Sequence, residues 1–204
     1  RDFQLVEQFA RCTQLELPTL NLQKDGGPWP IQWNAPMDES PEETAPLVLL
    51  HTGFTHYGRD KAWPKHAWTD LALELADRGL DVQLLHTPSD LAMVSEIADS
   101  TGAAARLAPP TTGIPELMAL CDRAQLLIGT DSGPLHLAAW RGTPALGLFG
   151  PTDPAVYGPI GARTSWVSAL PDGETPPARQ RNCRSPLMDA LLPEKVIQAA
   201  SLLL

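Results

Sequence analysis

Short apolar runs alternate with stretches of helical period from Leu47 to the end of the chain. Leu47–His51 is a compact apolar run that ends at Thr52-Gly53, and Val82–Leu85, Leu126–Gly129 and Ala145–Phe149 repeat the pattern. Runs of this length bounded by Gly or turn residues predict buried strands. Ala105–Leu107 predicts a weaker strand and Trp166–Ala169 a sixth. Between them, Trp63–Gly79 carries Trp68, Leu71 and Leu75 at helical spacing and stops at glycine. Leu91–Gly102, Ile114–Ala124, Pro134–Arg141 and Pro193–Leu204 are the other predicted helices. Pro115 and Pro193 stand in first turns, where a missing N–H costs nothing.

Strand following helix in this way gives repeated βαβ units. The predicted fold class is therefore α/β, a Rossmann-like doubly wound parallel sheet spanning 47–204. Ligands of such sheets bind outside the carboxyl ends of the strands. That rule directs attention to the loops after Leu50, Leu85, Leu107, Ile128 and Phe149.

The first 46 residues read differently. Arg1–Thr13 has Phe3, Val6, Phe9 and Ala10 on one helical face, with no capping residue before it. A chain that opens inside a helix is expected to be cut from something longer. Residues 14–46 hold many breakers, Gly26, Gly27, Pro28, Pro30, Pro36, Pro41 and Pro46 among them, and an acidic cluster, Asp38, Glu39, Glu42 and Glu43, which predicts a linker. Trp29 and Trp33 suggest that it packs rather than floats.

The formal net charge of −9 argues against a nucleic-acid surface, because phosphate backbones need a basic face. A small anion needs only one cation and a few oriented amides, so it stays possible. Cys12, Cys121 and Cys183 are far apart, with no CxxC pair or zinc spacing, and are expected to be reduced thiols in the cytoplasm. No apolar run approaches the ~20 residues of a membrane span. No metal site is predicted.

Four loops could carry chemistry. In Gly129 through Ala139, a strand gives way to a helix at Ser132-Gly133-Pro134. Ser132 suits an N-cap, Gly133 admits close approach of a ligand, and the helix start favours phosphate oxygens. Asp131 would repel phosphate but could take sugar hydroxyls, and His136 lies one turn on. The plainer alternative is a capped helix whose Asp131 and His136 bond each other. Gly58 through Pro64 places Lys61 where it could reach a diphosphate, or is simply a solvated charged loop. Thr87-Pro88-Ser89-Asp90 follows the second strand, where an acidic residue can hold ribose or merely cap a helix. Gly150-Pro151-Thr152-Asp153-Pro154 reads as a rigid turn beside the Asp131 loop, either shaping a sugar pocket or no more than a turn.

Together these residues resemble glycosyltransferase family 9, the lipopolysaccharide heptosyltransferases. The resemblance rests on Leu50-His51-Thr52-Gly53, Lys61-Ala62-Trp63-Pro64, Gly129–Ala139, Gly150–Pro154 and the tail Cys183, Met188 and Leu192 through Val196. It covers about 47–204, with Arg1–Gln14 resembling the segment before the family's interdomain linker. It implies the C-terminal, donor-binding domain of a two-domain GT-B glycosyltransferase, with 1–46 as helix and interdomain linker. Lys61 would hold the donor phosphates, Asp90 the ribose, and Thr111 or Thr112 would lie beside adenine. Asp131, Ser132 and Gly133 would contact sugar and diphosphate, with His136 behind them. Thr52 and Thr55 compete as the phosphate-binding hydroxyl.

The implied donor is an ADP-sugar of the ADP-heptose kind, and the implied acceptor a glycan or lipopolysaccharide core. Such enzymes invert the anomeric centre and use no essential metal or other cofactor. The implied place is the bacterial cytoplasm, at the inner face of the membrane through the acceptor. The family's general base belongs to the N-terminal domain, so no catalytic residue is assigned here and the chain alone is expected to be inactive. Two departures stand out: His86-Thr87-Pro88-Ser89 where the family often has glycines, and a longer loop from Gly53 to Asp60 that includes Phe54, Thr55 and His56. The rival readings are a non-catalytic nucleotide-sugar-binding module or subunit, and another GT-B enzyme such as a sugar-nucleotide epimerase.

Overall fold

The computed structural model describes residues 45–53, 56–171, 173–179 and 183–204, with side chains at 56 and 57 excepted. Pro41–Leu204 form one compact unit. The helix expected at Arg1–Thr13 and all but the end of the expected linker lie outside the described residues, as do Phe54 and Thr55.

The apolar runs become strands β1 (Leu47–His51), β2 (Asp81–Leu85), β3 (Ala105–Leu107), β4 (Leu126–Thr130), β5 (Ala145–Phe149) and β6 (Thr164–Ser168). They form one parallel sheet in the order β3-β2-β1-β4-β5-β6. Between them run helices α1 (Lys65–Asp77), α2 (Leu91–Ser100), α3 (Ile114–Arg123) and α4 (Gly133–Arg141), and α7 (Pro193–Ser201) closes the chain. The fold is the expected α/β Rossmann-like sheet. β1 leads outward to β2 on one side and neighbours β4 on the other, so the topological switch point lies between β1 and β4.

Both sheet faces are covered, which is why the strands read as unbroken apolar runs. Side-chain alternation divides them: Val48, Leu50, Ile128 and Leu148 join Trp68, Leu71 and Leu75 of α1 and Val196 of α7 on one face. Leu47, Leu49, Leu127 and Phe149 join Leu120 of α3 and Leu135 and Ala138 of α4 on the other. Each fully buried side chain of this size stabilises the fold by about 1.5–3 kcal/mol. Trp63 and Trp68 meet edge to face, with ring centroids 4.9 Å apart, at the entry to α1. α4 stops at Gly142, whose φ of 87° is the left-handed conformation a helix end requires.

Three short elements escaped the sequence reading: a 3-10 segment at His56–Lys61 and helices α5 (Pro154–Tyr157) and α6 (Pro186–Asp189). The Asp153 and Ser185 side chains cap α5 and α6 by accepting from Ala155 N and Leu187 N. The Gly150–Pro154 stretch is therefore a turn that ends in a helix cap. β6 starts two residues earlier than expected, at Thr164. No helix among the described residues is long and apolar enough to cross a membrane.

Candidate donor-binding site

The switch point brings together three loops distant in sequence. β1 ends in His51-Thr52-Gly53, β4 in Thr130-Asp131, and the 3-10 segment ends at Lys61. β1 and β4 run side by side with His51 opposite Gly129. A Cβ on Gly129 would lie 3.2 Å from that of His51, so glycine avoids crowding between the two strands at this pair.

Lys61 turns toward the β4–α4 loop. Its ammonium donates to the Asp131 carbonyl and lies 3.3 Å from Asp131 Oδ2. Both side chains are largely covered, at 19% and 12% exposure, so water screens the pair only in part. His136 Nε2 is 3.4 Å from Asp131 Oδ1, with its ring open to solvent. Burial would raise the Asp131 pKa, but the His136 hydrogen bond and the Lys61 charge outweigh it and the net shift is downward. The Asp131–His136 contact that the plainer alternative supposed is thus present, but as a long contact beside a second bond to Lys61.

Ser132 occupies the N-cap position of α4 without capping it. Its hydroxyl is 3.0 Å from His51 Nδ1 instead. The local preference for a serine cap loses to a partner 81 residues away, and among the described residues no side chain satisfies the first amides of α4. At this helix start, a Cβ on Gly133 would meet no described atom within 4 Å outside its chain neighbours and its own helix backbone. Lys61, the uncapped helix start and the open position at Gly133 thus meet at the β4–α4 loop, where an ammonium group and helix amides suit phosphate oxygens.

Asp90 likewise stands at the N-cap of α2 without capping it. Its Oδ1 accepts from Thr87 N at 2.6 Å and Thr87 Oγ1 at 2.8 Å. Its Oδ2 lies over Gly53, where an added Cβ would collide with it. Thr87 therefore aims the carboxylate back toward the end of β1. Thr52 is buried beside it, and its Oγ1 has no partner among the described residues. Thr111 and Thr112 follow β3, two strands out from β1; Thr111 is half-buried, and Thr112 Oγ1 donates to Glu116 Oε1 at 3.2 Å.

Two residues were given no role by sequence reasoning. His51 had been absorbed into an apolar run, yet its ring lies between Ser132, Gly53 and Asp90. Burial pushes its pKa from 6.5 down to about 4, Lys61 adding to the shift and Asp90 opposing it. The imidazole is therefore neutral at pH 7. The second is Asp60, 1% exposed and paired with Arg179. Cys121 is buried, and burial pushes its thiol up to about 12; Cys183 is exposed.

The His51 shift predicts a pH dependence of stability. Between pH 6.5 and 4 the unfolded chain binds a proton that the folded chain refuses, so stability falls as pH falls. The loss between pH 7 and 5 is about 2 kcal/mol. His51→Gln should lose about that much less over the same interval in urea melts; parallel curves for variant and wild type would contradict the assignment.

Known proteins share both sequence and fold with this chain. The model of glycosyltransferase family 9 (heptosyltransferase) matches residues 1–188. Lipopolysaccharide heptosyltransferase 3 of Escherichia coli is 36% identical over 152 residues, covering 71% of this chain and 43% of that protein. Among solved structures, E. coli ADP-heptose lipopolysaccharide heptosyltransferase II superposes with a TM-score of 0.67 at 22% identity, over 79% of this chain and 47% of that one. E. coli heptosyltransferase WaaC with ADP gives 0.64 at 22% identity, over 81% and 47%. The chain thus spans about half the length of the relatives it matches or less. With the match running over most of its residues, the chain belongs to glycosyltransferase family 9, the heptosyltransferases.

Proposed function

We propose that residues 47–204 bind the nucleotide-diphosphate-sugar donor, an ADP-sugar, of an inverting glycosyltransferase whose acceptor is a glycan or lipopolysaccharide core. The observation that carries this reading is the meeting of Lys61, the uncapped start of α4 and the open position at Gly133. A diphosphate placed there would meet a cation and helix amides together, and both would stabilise it further as it departs with negative charge. Asp90, aimed at the end of β1 by Thr87, suits ribose hydroxyls. Asp131 and His136 border the sugar side, Thr52 offers a phosphate-binding hydroxyl, and Thr111 borders the base. WaaC, which shares the fold, was solved with ADP.

The general base that deprotonates the acceptor belongs to a preceding domain in this reading, so the chain alone binds donor without turning it over. Arg1–Gln14 and the residues that follow would join the two domains. Calorimetry with ADP tests the site directly, and binding in the micromolar range is expected. Asp90→Asn should weaken ADP about fivefold while leaving inorganic pyrophosphate binding unchanged, since a lost ribose hydrogen bond to a charged group is worth about 1 kcal/mol or more. No heat with ADP, or equal losses for ADP and pyrophosphate, would count against the assignment.

A further inference from the structure

Lys61 ends a six-residue 3-10 segment, His56–Lys61, interrupted by non-helical geometry at Gly58. Short 3-10 pieces have poor internal hydrogen bonding and little stability of their own. The position of Lys61 must therefore be fixed from outside. The residue before it, Asp60, is buried, and its carboxylate receives both arms of one guanidinium. Arg179 Nε donates to Oδ2 at 2.7 Å and Nη2 to Oδ1 at 2.8 Å. Two planar groups joined in this way define an orientation as well as a distance. Ser185 N also donates to the Asp60 carbonyl at 3.4 Å. Two residues beyond Lys61, Trp63 Nε1 donates to the Leu191 carbonyl at 2.8 Å. Arg179, Ser185 and Leu191 thus grip the chain on both sides of Lys61.

Resting on the donor-site reading, we infer that Arg179 is a positioning residue for the diphosphate: through Asp60 it holds Lys61 against the β4–α4 loop. Asp60 is too deeply covered to meet a ligand, at 1% exposure. Its partner comes from a segment 119 residues away, so the bond ties the phosphate-binding loop to the C-terminal part of the fold. The inference specifies a coupling. Losing either partner releases Lys61, and losing the second after the first adds nothing. Nucleoside binding, which does not use Lys61, is left alone.

A double-mutant cycle on the chain tests this, with ADP and adenosine as the probes. Arg179→Gln and Asp60→Asn should each weaken ADP about tenfold, the double variant should be no weaker than either, and adenosine affinity should stay within twofold. Arg179→Lys, which keeps the charge and one hydrogen bond, should recover part of the loss. If the single variants fail to fold, the Asp60→Leu/Arg179→Met pair replaces the ion pair by apolar contact; it should fold yet still bind ADP about tenfold more weakly. Additive losses would show that Arg179 acts on the phosphate without Asp60, and would overturn the inference. Parallel loss of adenosine would reduce the pair to general scaffolding and overturn it too. ADP affinity untouched in the Arg179 variants while Lys61→Ala abolishes it would sink this inference alone. Failure of the wild-type chain to bind ADP would remove the donor-site reading and this inference together.

Discussion

Lys61→Ala is expected to lower the affinity of the chain for ADP about a hundredfold, measured by calorimetry at pH 7. Two effects add. The ammonium supplies a charge-assisted hydrogen bond to phosphate in a partly dry site, worth about 1.5–3 kcal/mol. It also neutralises Asp131, whose Oδ2 lies 3.3 Å away and whose carboxylate would otherwise repel the ligand. At about 1.4 kcal/mol per factor of ten, the first effect alone gives ten- to hundredfold and the second carries it to the upper end.

The same geometry fixes the pH dependence of the variant. In the wild type the Asp131 pKa is lowered, so the stability that its contacts contribute is present above the ordinary carboxylate range and is lost as pH falls through the folded value. Without Lys61, burial has less to oppose it and the pKa must rise. Acidification should then discharge Asp131 earlier than in the wild type, and the variant should recover part of its ADP affinity relative to wild type as pH falls toward the carboxylate range. An affinity within threefold of wild type, or a gap that widens on acidification, would refute the role given to Lys61.

What could be read in the sequence divides along the range of the interaction. Strands β1, β2, β4 and β5 were legible because both faces of a parallel sheet are buried, leaving unbroken apolar runs such as Leu47–Leu50 and Ala145–Phe149. β6 was misplaced by two residues because Thr164 and Ser165 open a half-exposed edge strand with no apolar signature. The four-residue helices α5 and α6 are too short to show any period, although Asp153-Pro154 and Ser185-Pro186 gave a local hint of a cap.

Lys61 and Gly133 could be singled out because each sits beside a helix start, which is a local signal. The use of Ser132 could not, because the residue that redirects its hydroxyl is His51, on another strand. Asp60 and Arg179 lie still further apart in the chain, and a salt bridge between two ordinary charged residues leaves no pattern at either position. Local chemistry thus announces the groups that would meet the ligand, while the groups that aim them become visible only when the strands are side by side.

Gly133→Val should abolish measurable ADP binding, a loss of a hundredfold or more, with little change in stability. The position is unusual among the glycines around this site. At Gly53 and Gly129 a side chain would run into Asp90 or His51, so a defect there would mix misfolding with lost contacts. At Gly133 a Cβ would meet no protein atom within 4 Å, and the backbone is at the first residue of α4 in an ordinary helical register. Valine is no poorer a helix former than glycine, and the chain loses less entropy on folding than it does with glycine. The thermal midpoint should therefore stay within about 2 °C of wild type. The two methyl groups would fill that open space beside the first amides of α4, which phosphate oxygens must approach to a hydrogen-bonding distance of about 2.9 Å. Gly133→Ala, with a smaller intrusion, should fall between wild type and valine. Lys61 would be untouched, so a binding defect in the valine variant isolates the helix start as the second half of the site. An unchanged thermal midpoint combined with unchanged ADP affinity would place the diphosphate elsewhere on the strand ends.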